Sequence, residues 1–321
     1  MKSSPLVTTV FSLAALAAVC SASPFATAVI QYDPGTNFAK GYTNTSAILG
    51  APSKQSDDPA FGTSPVDPFD PPYLTNQIVS IGVGGSITVA FDTPILHDPA
   101  HPYGLDFLVF GHAGFETAPP DYSIANGTLF ENGATQTVVS VSADGTNFFS
   151  LNPAKAPVLD ALFPIDGSGN PGIPVNPALT ASNFAGLDLA GVRALYAGSA
   201  GGAGFDIAWA IDGKGNPVSL SSISYVRLQV VSGKADIDAL SACSYLPPSL
   251  SISLGSGIAQ FGFVSRSNAV YRLQRTADFQ TWGNLGAALI GDGGRDQITD
   301  TNLPVAALNH SAAAIYRLEV Q

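Results

Sequence analysis

Apolar residues take every second position over much of this chain, in short runs punctuated by Gly, Pro, Asn and Asp. Val79, Ile81 and Val83 alternate with small or polar residues, Gly84-Gly85 turns the chain, and Ile87, Val89 and Phe91 alternate again. That is the pattern of a hairpin with one buried face. Residues 105–110 (LDFLVF) form a nearly continuous apolar run, as a central sandwich strand requires. Val139, Val141 and Ala143 lead into Asp144-Gly145, a strong turn signal, and Asn147-Phe148-Phe149 resumes beyond it. Residues 225–230 alternate well, and Ile237 and Ala239 interleave with Asp236 and Asp238. Residues 187–196 (LDLAGVRALY) carry the one convincing helical spacing. Strands joined by turns, without helices between them, predict an all-β antiparallel sandwich.

Pro247-Pro248, within the run SYLPPS at 244–249, removes two backbone donors, stiffens the chain and marks a domain boundary. Beyond it, strands are expected at 251–254, 258–264, 270–275, 297–299 and 315–320, and Tyr271-Arg272-Leu273-Gln274 is echoed by Tyr316-Arg317-Leu318-Glu319. A small second β-sandwich fits that strand count. At the other end, Met1-Lys2 supplies a positive start and Leu6 to Val19 is apolar and uncharged. Ala26-Thr27-Ala28 then matches the small-x-small pattern of a signal-peptidase cut. Val19 is too bulky to precede a lipidated Cys20. The expected organisation is a signal peptide over 1–28, a large sandwich over 29–245 and a small β-sandwich module over 250–321. The expected destination is secreted, periplasmic or cell-surface.

Composition narrows the partners. Of 321 residues, 12% are charged, about half the usual share, while 45% are hydrophobic and mean hydropathy is +0.23. That balance argues against disorder. Thirteen basic residues against 24 acidic give a net charge of −11, which disfavours nucleic acid and anionic membrane surfaces as partners. No second long apolar run follows the first, so no integral membrane segment is expected after signal cleavage. Cys243 would then stand alone, a small buried residue in a chain without disulfides.

Several groups could carry chemistry. His97 and His101 stand four apart, with His112 beyond. A metal pair at that spacing relies on a helix; Pro99 and Pro102 oppose one, so a solvated loop is expected. Residues 167–172 (GSGNPG) match a dinucleotide fingerprint by letter but lack its βαβ context. Residues 197–201 (AGSAG) fall one short of a nucleophile elbow. Asp57, Asp58, Asp67 and Asp70 share one Pro-rich loop in which Lys54 is the nearby base. Crowded carboxylates repel unless solvated or neutralised by a hard cation, which makes them calcium (Ca2+) candidates. Asp206, inside the apolar run FDIAWAI, needs strong partners or an ion and joins that set. Aromatic faces in loops can stack on pyranose rings; Tyr42, Phe69, Tyr73 and Tyr122, with Phe61 beside them in the sequence pattern, are the candidates.

Gly50-Ala51-Pro52, VSIGVGGSITVAF (79–91), DFLVF (106–110), VSADGTNF (141–148), GGAGFDIAWAIDGKGNPV (201–218) and DIDAL (236–240) occur in that order. Together they resemble a family of secreted bacterial cell-surface proteins, over residues 31–242. The resemblance implies a jelly-roll-like sandwich, related in shape to carbohydrate-binding and discoidin-type modules. That family often carries Glu-Asn straight after the DFxVF strand, where this chain has Gly111-His112. The tail resembles a small C-terminal β-module of secreted bacterial proteins, through DFQTW (278–282) and the closing IYRLEV. The expected function is that of an exported, non-catalytic binding protein for a polysaccharide or cell-surface polymer. The alternatives are a secreted glycan hydrolase with paired carboxylates and a purely structural surface protein.

Overall fold

The computed structural model describes residues 23–117, 119, 122–130 and 135–243, and in the C-terminal part 251–255, 258–265, 270–276, 281–291, 295–301 and 315–320. The N-terminal part contains β1 (Ala28–Asp33), β2 (Gln55–Asp58), β3 (Gly62–Pro65), β4 (Val79–Ile81), β5 (Ser86–Leu96), β6 (Phe107–Gly111), β7 (Gly114–Thr117) and β8 (Ala125–Phe130). There follow β9 (Gln136–Ser142), β10 (Phe149–Leu151), the helix α1 (Leu189–Tyr196), β11 (Ala203–Phe205), β12 (Ala210–Ile211), β13 (Ser222–Ser232) and β14 (Ala235–Ala242). A six-stranded sheet in the order β1-β5-β13-β9-β10-β12 faces a four-stranded sheet, β11-β6-β14-β4. Their pairings are antiparallel.

The core between the sheets is built by the alternation. Ile87, Val89 and Phe91 on β5, Val226, Leu228 and Val230 on β13, and Val139 and Val141 on β9 meet Val79, Ile81, Phe107, Val109 and Ile237 from the facing sheet. The fold is an all-β sandwich. Residues 105–110 do supply its central strand, buried on both faces: Phe107 and Val109 enter the main core, while Leu108 and Phe110 enter a second cluster with Val66, Ile165 and Cys243. The Asp144 turn also forms as expected, with Oδ1 accepting the Thr146 and Asn147 N–H groups.

Two expectations change. β4 and β5 are not a hairpin: β4 pairs β14 and β5 pairs β1 and β13, so residues 82–85 carry the chain from one sheet to the other. Gly82 and Gly85 are needed there because residues 33–38 run against them; a Cβ on Gly82 would meet Thr36 O, and one on Gly85 would meet Pro34 O. β14 has no solvent face either, since Asp236 and Asp238 are as buried as Ile237. Asp236 is covered by the long connection between β10 and β11, whose Asp160 accepts its N–H, and Asp238 by the segment before β2, whose Ser53 bonds both its oxygens. The β10–β11 connection also brings Phe163, Val175, Phe184, Val192 and Tyr196 onto Phe115 and Leu129 of β7 and β8.

Near the N-terminus, Ala26 is buried in the main core, Thr27 N donates to Ala90 O, and Phe25 bridges Ser241. The cut expected after Ala28 therefore falls inside the folded part. Residues 1–22 of the expected 1–28 leader and the boundary at Pro247-Pro248 lie outside the described residues.

The C-terminal part holds β15 (Ser251–Gly255), β16 (Ile258–Val264), β17 (Val270–Thr276), β18 (Gly283–Ile290), β19 (Arg295–Asp300) and β20 (Ile315–Val320). They form two three-stranded sheets, β15-β16-β19 and β18-β17-β20, around Phe261, Phe263, Tyr271, Leu273 and Ile298. The echoed motifs are paired neighbours, with Leu273 opposite Leu318. β18 carries too little alternation to be read in advance. No described helix is long and apolar enough to cross a membrane.

Candidate functional site

α1 starts where Asp188 caps it, Oδ1 accepting the Gly191 N–H at 2.8 Å. One turn on, Arg193 projects onto the buried Asp166 and donates from Nε to Oδ2 (2.7 Å) and from a terminal nitrogen to Oδ1 (2.9 Å). Burial works to raise the Asp166 carboxyl, but Arg193 and the Ser168 hydroxyl and N–H outweigh it and hold it below the usual range. Facing the helix start is the turn at 66–70. Asp67 and Asp70 exchange backbone hydrogen bonds, and Asp67 Oδ1 also accepts the Phe69 and Asp70 N–H groups. Phe115 N and Gly167 N pin the same turn through Pro68 O and Val66 O.

Between these elements lies a cleft of about 630 Å3, lined by Asp67, Phe69, Tyr122, Asp188, Leu189 and Arg193 among others. Phe69 is backed by the core, its ring centroid 6.2 Å from that of Phe115. Tyr122 is 71% exposed. The cleft thus joins aromatic surface to carboxylates and a rigidly held guanidinium. Phe69, Tyr122 and Asp67, singled out separately in the sequence, are brought together here. Asp188 and Arg193 were not; their signal was the capped helical segment itself.

The other aromatic candidates do different work. Tyr42 donates its hydroxyl to Tyr73 O at 2.7 Å, and Tyr73 donates to Asp58 Oδ2 at 3.0 Å. Phe61 is exposed at the tip of the β2–β3 hairpin. Asp58 also accepts the Ala60 and Phe61 N–H groups, and Asp57 accepts the Thr63 hydroxyl. Loop donors thus take up the carboxylates of Asp57, Asp58 and Asp67. These residues and Asp70 do not form a group of three close acids among the described residues.

Among the described residues, the one group of three close potential metal ligands is His97, Asp106 and Asp206, whose ligand atoms all lie within 4.8 Å of one another. Asp106, fully buried, accepts four bonds: Asp98 N (3.0 Å) and His101 Nδ1 (2.9 Å) on Oδ1, His97 Nδ1 (3.0 Å) and Ile207 N (2.9 Å) on Oδ2. Burial tends to raise this carboxyl, and the four donors outweigh it, leaving it below the ordinary range. Asp206 caps a short 3-10 turn, accepting the Ala208 N–H; burial raises its carboxyl and the Asp106 charge adds to the rise. The expected solvated loop at the histidines is therefore a packed one, with His101 only 7% exposed. His112 stands apart, donating from Nδ1 to Pro72 O at 2.6 Å.

No family model matches the chain, and no curated protein matches it. Among solved structures the chain is similar to a beta-1,2-glucanase from Parabacteroides distasonis, at 10% identity and a TM-score of 0.17, over 84% of this chain and 33% of that one. The chain spans about a third of that enzyme's length. At that score the likeness does not define a shared fold.

The remaining motifs are structural. Asp160 packs onto Gly111: a Cβ there would meet Asp160 Oδ1, which accepts the His112 and Ala113 N–H groups. Ser199, in the AGSAG run, is buried and donates to Ile173 O. Cys243 is buried in the second cluster, and burial pushes its thiol up.

Proposed function

We propose that the chain is an exported, non-catalytic member of the secreted surface-protein family it resembles, and that its large sandwich binds a neutral polysaccharide or surface polymer in the α1 cleft. The observation that carries this reading is the exposed Tyr122 beside core-backed Phe69, ringed by Asp67, Asp188 and Arg193. A sugar ring presents C–H groups to an aromatic face and hydroxyls to charged partners at its edge. Carboxylates outnumber the guanidinium, whose charge Asp166 already meets, so an anionic polymer is disfavoured.

Hydrolysis is the second reading. It needs a carboxyl raised by an apolar setting, beside a second carboxylate in the same cleft. Among the described residues, the two acids that burial raises furthest are Asp160, to about 6, and Asp238, to about 7. Both lie beneath loops and are bonded to backbone N–H groups, outside the cleft lining. This favours binding.

In affinity electrophoresis of the full chain through gels containing neutral glucans, xylans or mannans, at least one polymer should retard migration, and Tyr122→Ala should remove the effect. Retardation by anionic polymers alone, or by none, would contradict the reading.

Export carries its own expected outcome. Because Pro24 to Ala28 hydrogen-bond into the sandwich, the cut moves upstream, and Cys20-Ser21-Ala22 offers small residues at both required positions. N-terminal sequencing of exported material should read Ser23 first. Val29 as the first residue would show that the sandwich forms without Ala26 in its core.

A further inference from the structure

We infer that the end of the sandwich where the chain passes between its sheets is a site for one divalent transition cation of the Zn2+ type, held by His97 Nδ1, Asp106 Oδ2 and Asp206 Oδ1. Two crossings converge there. The first runs from β5 in the six-stranded sheet to β6 in the four-stranded one, with His97 just after β5 and Asp106 just before β6. The second runs from β11 back to β12, with Asp206 directly after β11.

The spacing suits a small cation. Ligands at 2.0–2.2 Å from a tetrahedral centre lie about 3.3–3.6 Å apart. His97 Nδ1 is 3.5 Å from Asp206 Oδ1, inside that range, and 3.0 Å from Asp106 Oδ2, so that pair moves apart by about 0.3 Å to take the cation. The two carboxylates both face the Nδ1 proton of His97, and the cation takes that proton's place as it passes to solvent. Three protein ligands leave the fourth position for water, which can reach it because the His97 and Asp206 side chains are 28% and 18% exposed.

The support around the ligands is already built. Asp106 Oδ1 is fixed by Asp98 N and His101 Nδ1, and Ile207 N holds Oδ2. His97 is anchored by its backbone N–H to Ser221 O, just before β13. Such outer bonds orient a metal-binding carboxylate and are half of the design of a site. One imidazole and two carboxylates favour a borderline metal over Ca2+, which takes six to eight oxygens.

The test uses the full chain stripped with a chelator, then titrated with ZnCl2, CoCl2 or CaCl2. Zn2+ should bind at one equivalent and raise the melting temperature by roughly 5 °C or more at a hundredfold excess over Kd. Co2+ should give the intense visible bands of a tetrahedral complex. His97→Gln and Asp206→Asn should each abolish the cobalt bands and the zinc shift. Asp206→Asn keeps an acceptor for Ala208 N, so its metal-free melting should stay near that of the parent. Absence of stoichiometric zinc binding, or zinc binding unchanged in both variants, would overturn the site. So would a calcium shift abolished by Asp67→Asn or Asp70→Asn with no response to zinc.

Discussion

Asp106→Ala is expected to lower the stability of the large sandwich by about 3–5 kcal/mol, the range for removing one partner of a buried charged network. Four donors lose their acceptor at once, and they come from both chain crossings: Asp98 N, His97 and His101 on one side, Ile207 N on the other. His101 is itself buried, so water cannot replace the carboxylate without opening the packing. The backbone of Asp106 stays engaged with Phe205 O and Cys243 N, which confines the damage to the side chain. Thermal or urea unfolding of the full chain decides this. A drop of roughly 10 °C or more is expected; a loss under about 1 kcal/mol would mean that the four bonds are incidental.

The second large effect is with pH. Burial raises the Asp238 carboxyl to about 7, against the Ser53 hydroxyl and N–H that bond its two oxygens. Burial and the neighbouring Asp236 charge raise Asp160 to about 6. Both groups hold a proton in the folded chain at pH values where the unfolded chain has lost it. Stability therefore falls as pH rises through the interval between the unfolded and folded values. At about 1.4 kcal/mol per unit, over the two units to the Asp238 value and the one unit to the Asp160 value, raising pH from 5 to 8 should cost roughly 4 kcal/mol in all. Below about pH 4 the slope reverses, because Asp166, held low by Arg193, takes up a proton and releases its partner. Asp238→Asn should flatten the alkaline limb while the fold persists, since an amide can accept from Ser53 N and donate to Ser53 Oγ. An alkaline limb of unchanged slope in that variant would assign the effect elsewhere.

Much of the architecture was legible because alternation reports which face of a strand is buried. It reports nothing about the partner, so β4 and β5 read as a hairpin although the chain between them changes sheet. It also fails where loops cover a sheet from outside: Asp236 and Asp238 kept the polar half of a normal pattern, yet both are buried. The polar interior was out of reach for a related reason. Asp238 meets Ser53 across 185 positions and Asp106 meets Ile207 across 101, and nothing local in LDFLVF or DIDAL announces those donors. In the cleft, Phe69 and Tyr122 were readable as aromatics in turns, whereas Tyr42 and Tyr73 looked the same and turned out to tie loops together. The part played by Asp188 and Arg193 depends on where α1 docks, which is a tertiary fact.

A sugar bound in the α1 cleft, as proposed, leaves the open face of the six-stranded sheet free. That face carries Tyr225 over Gly145 and Arg227 stacked 3.8 Å above the Phe148 ring. Calorimetric titration of the full chain with an oligosaccharide of the polymer that retards it separates the two. Tyr122→Ala should weaken binding by at least about tenfold, the loss of one central aromatic contact, while Tyr225→Ala should bind like the parent. Full affinity in Tyr122→Ala with loss in Tyr225→Ala would contradict the account and move the site to the sheet.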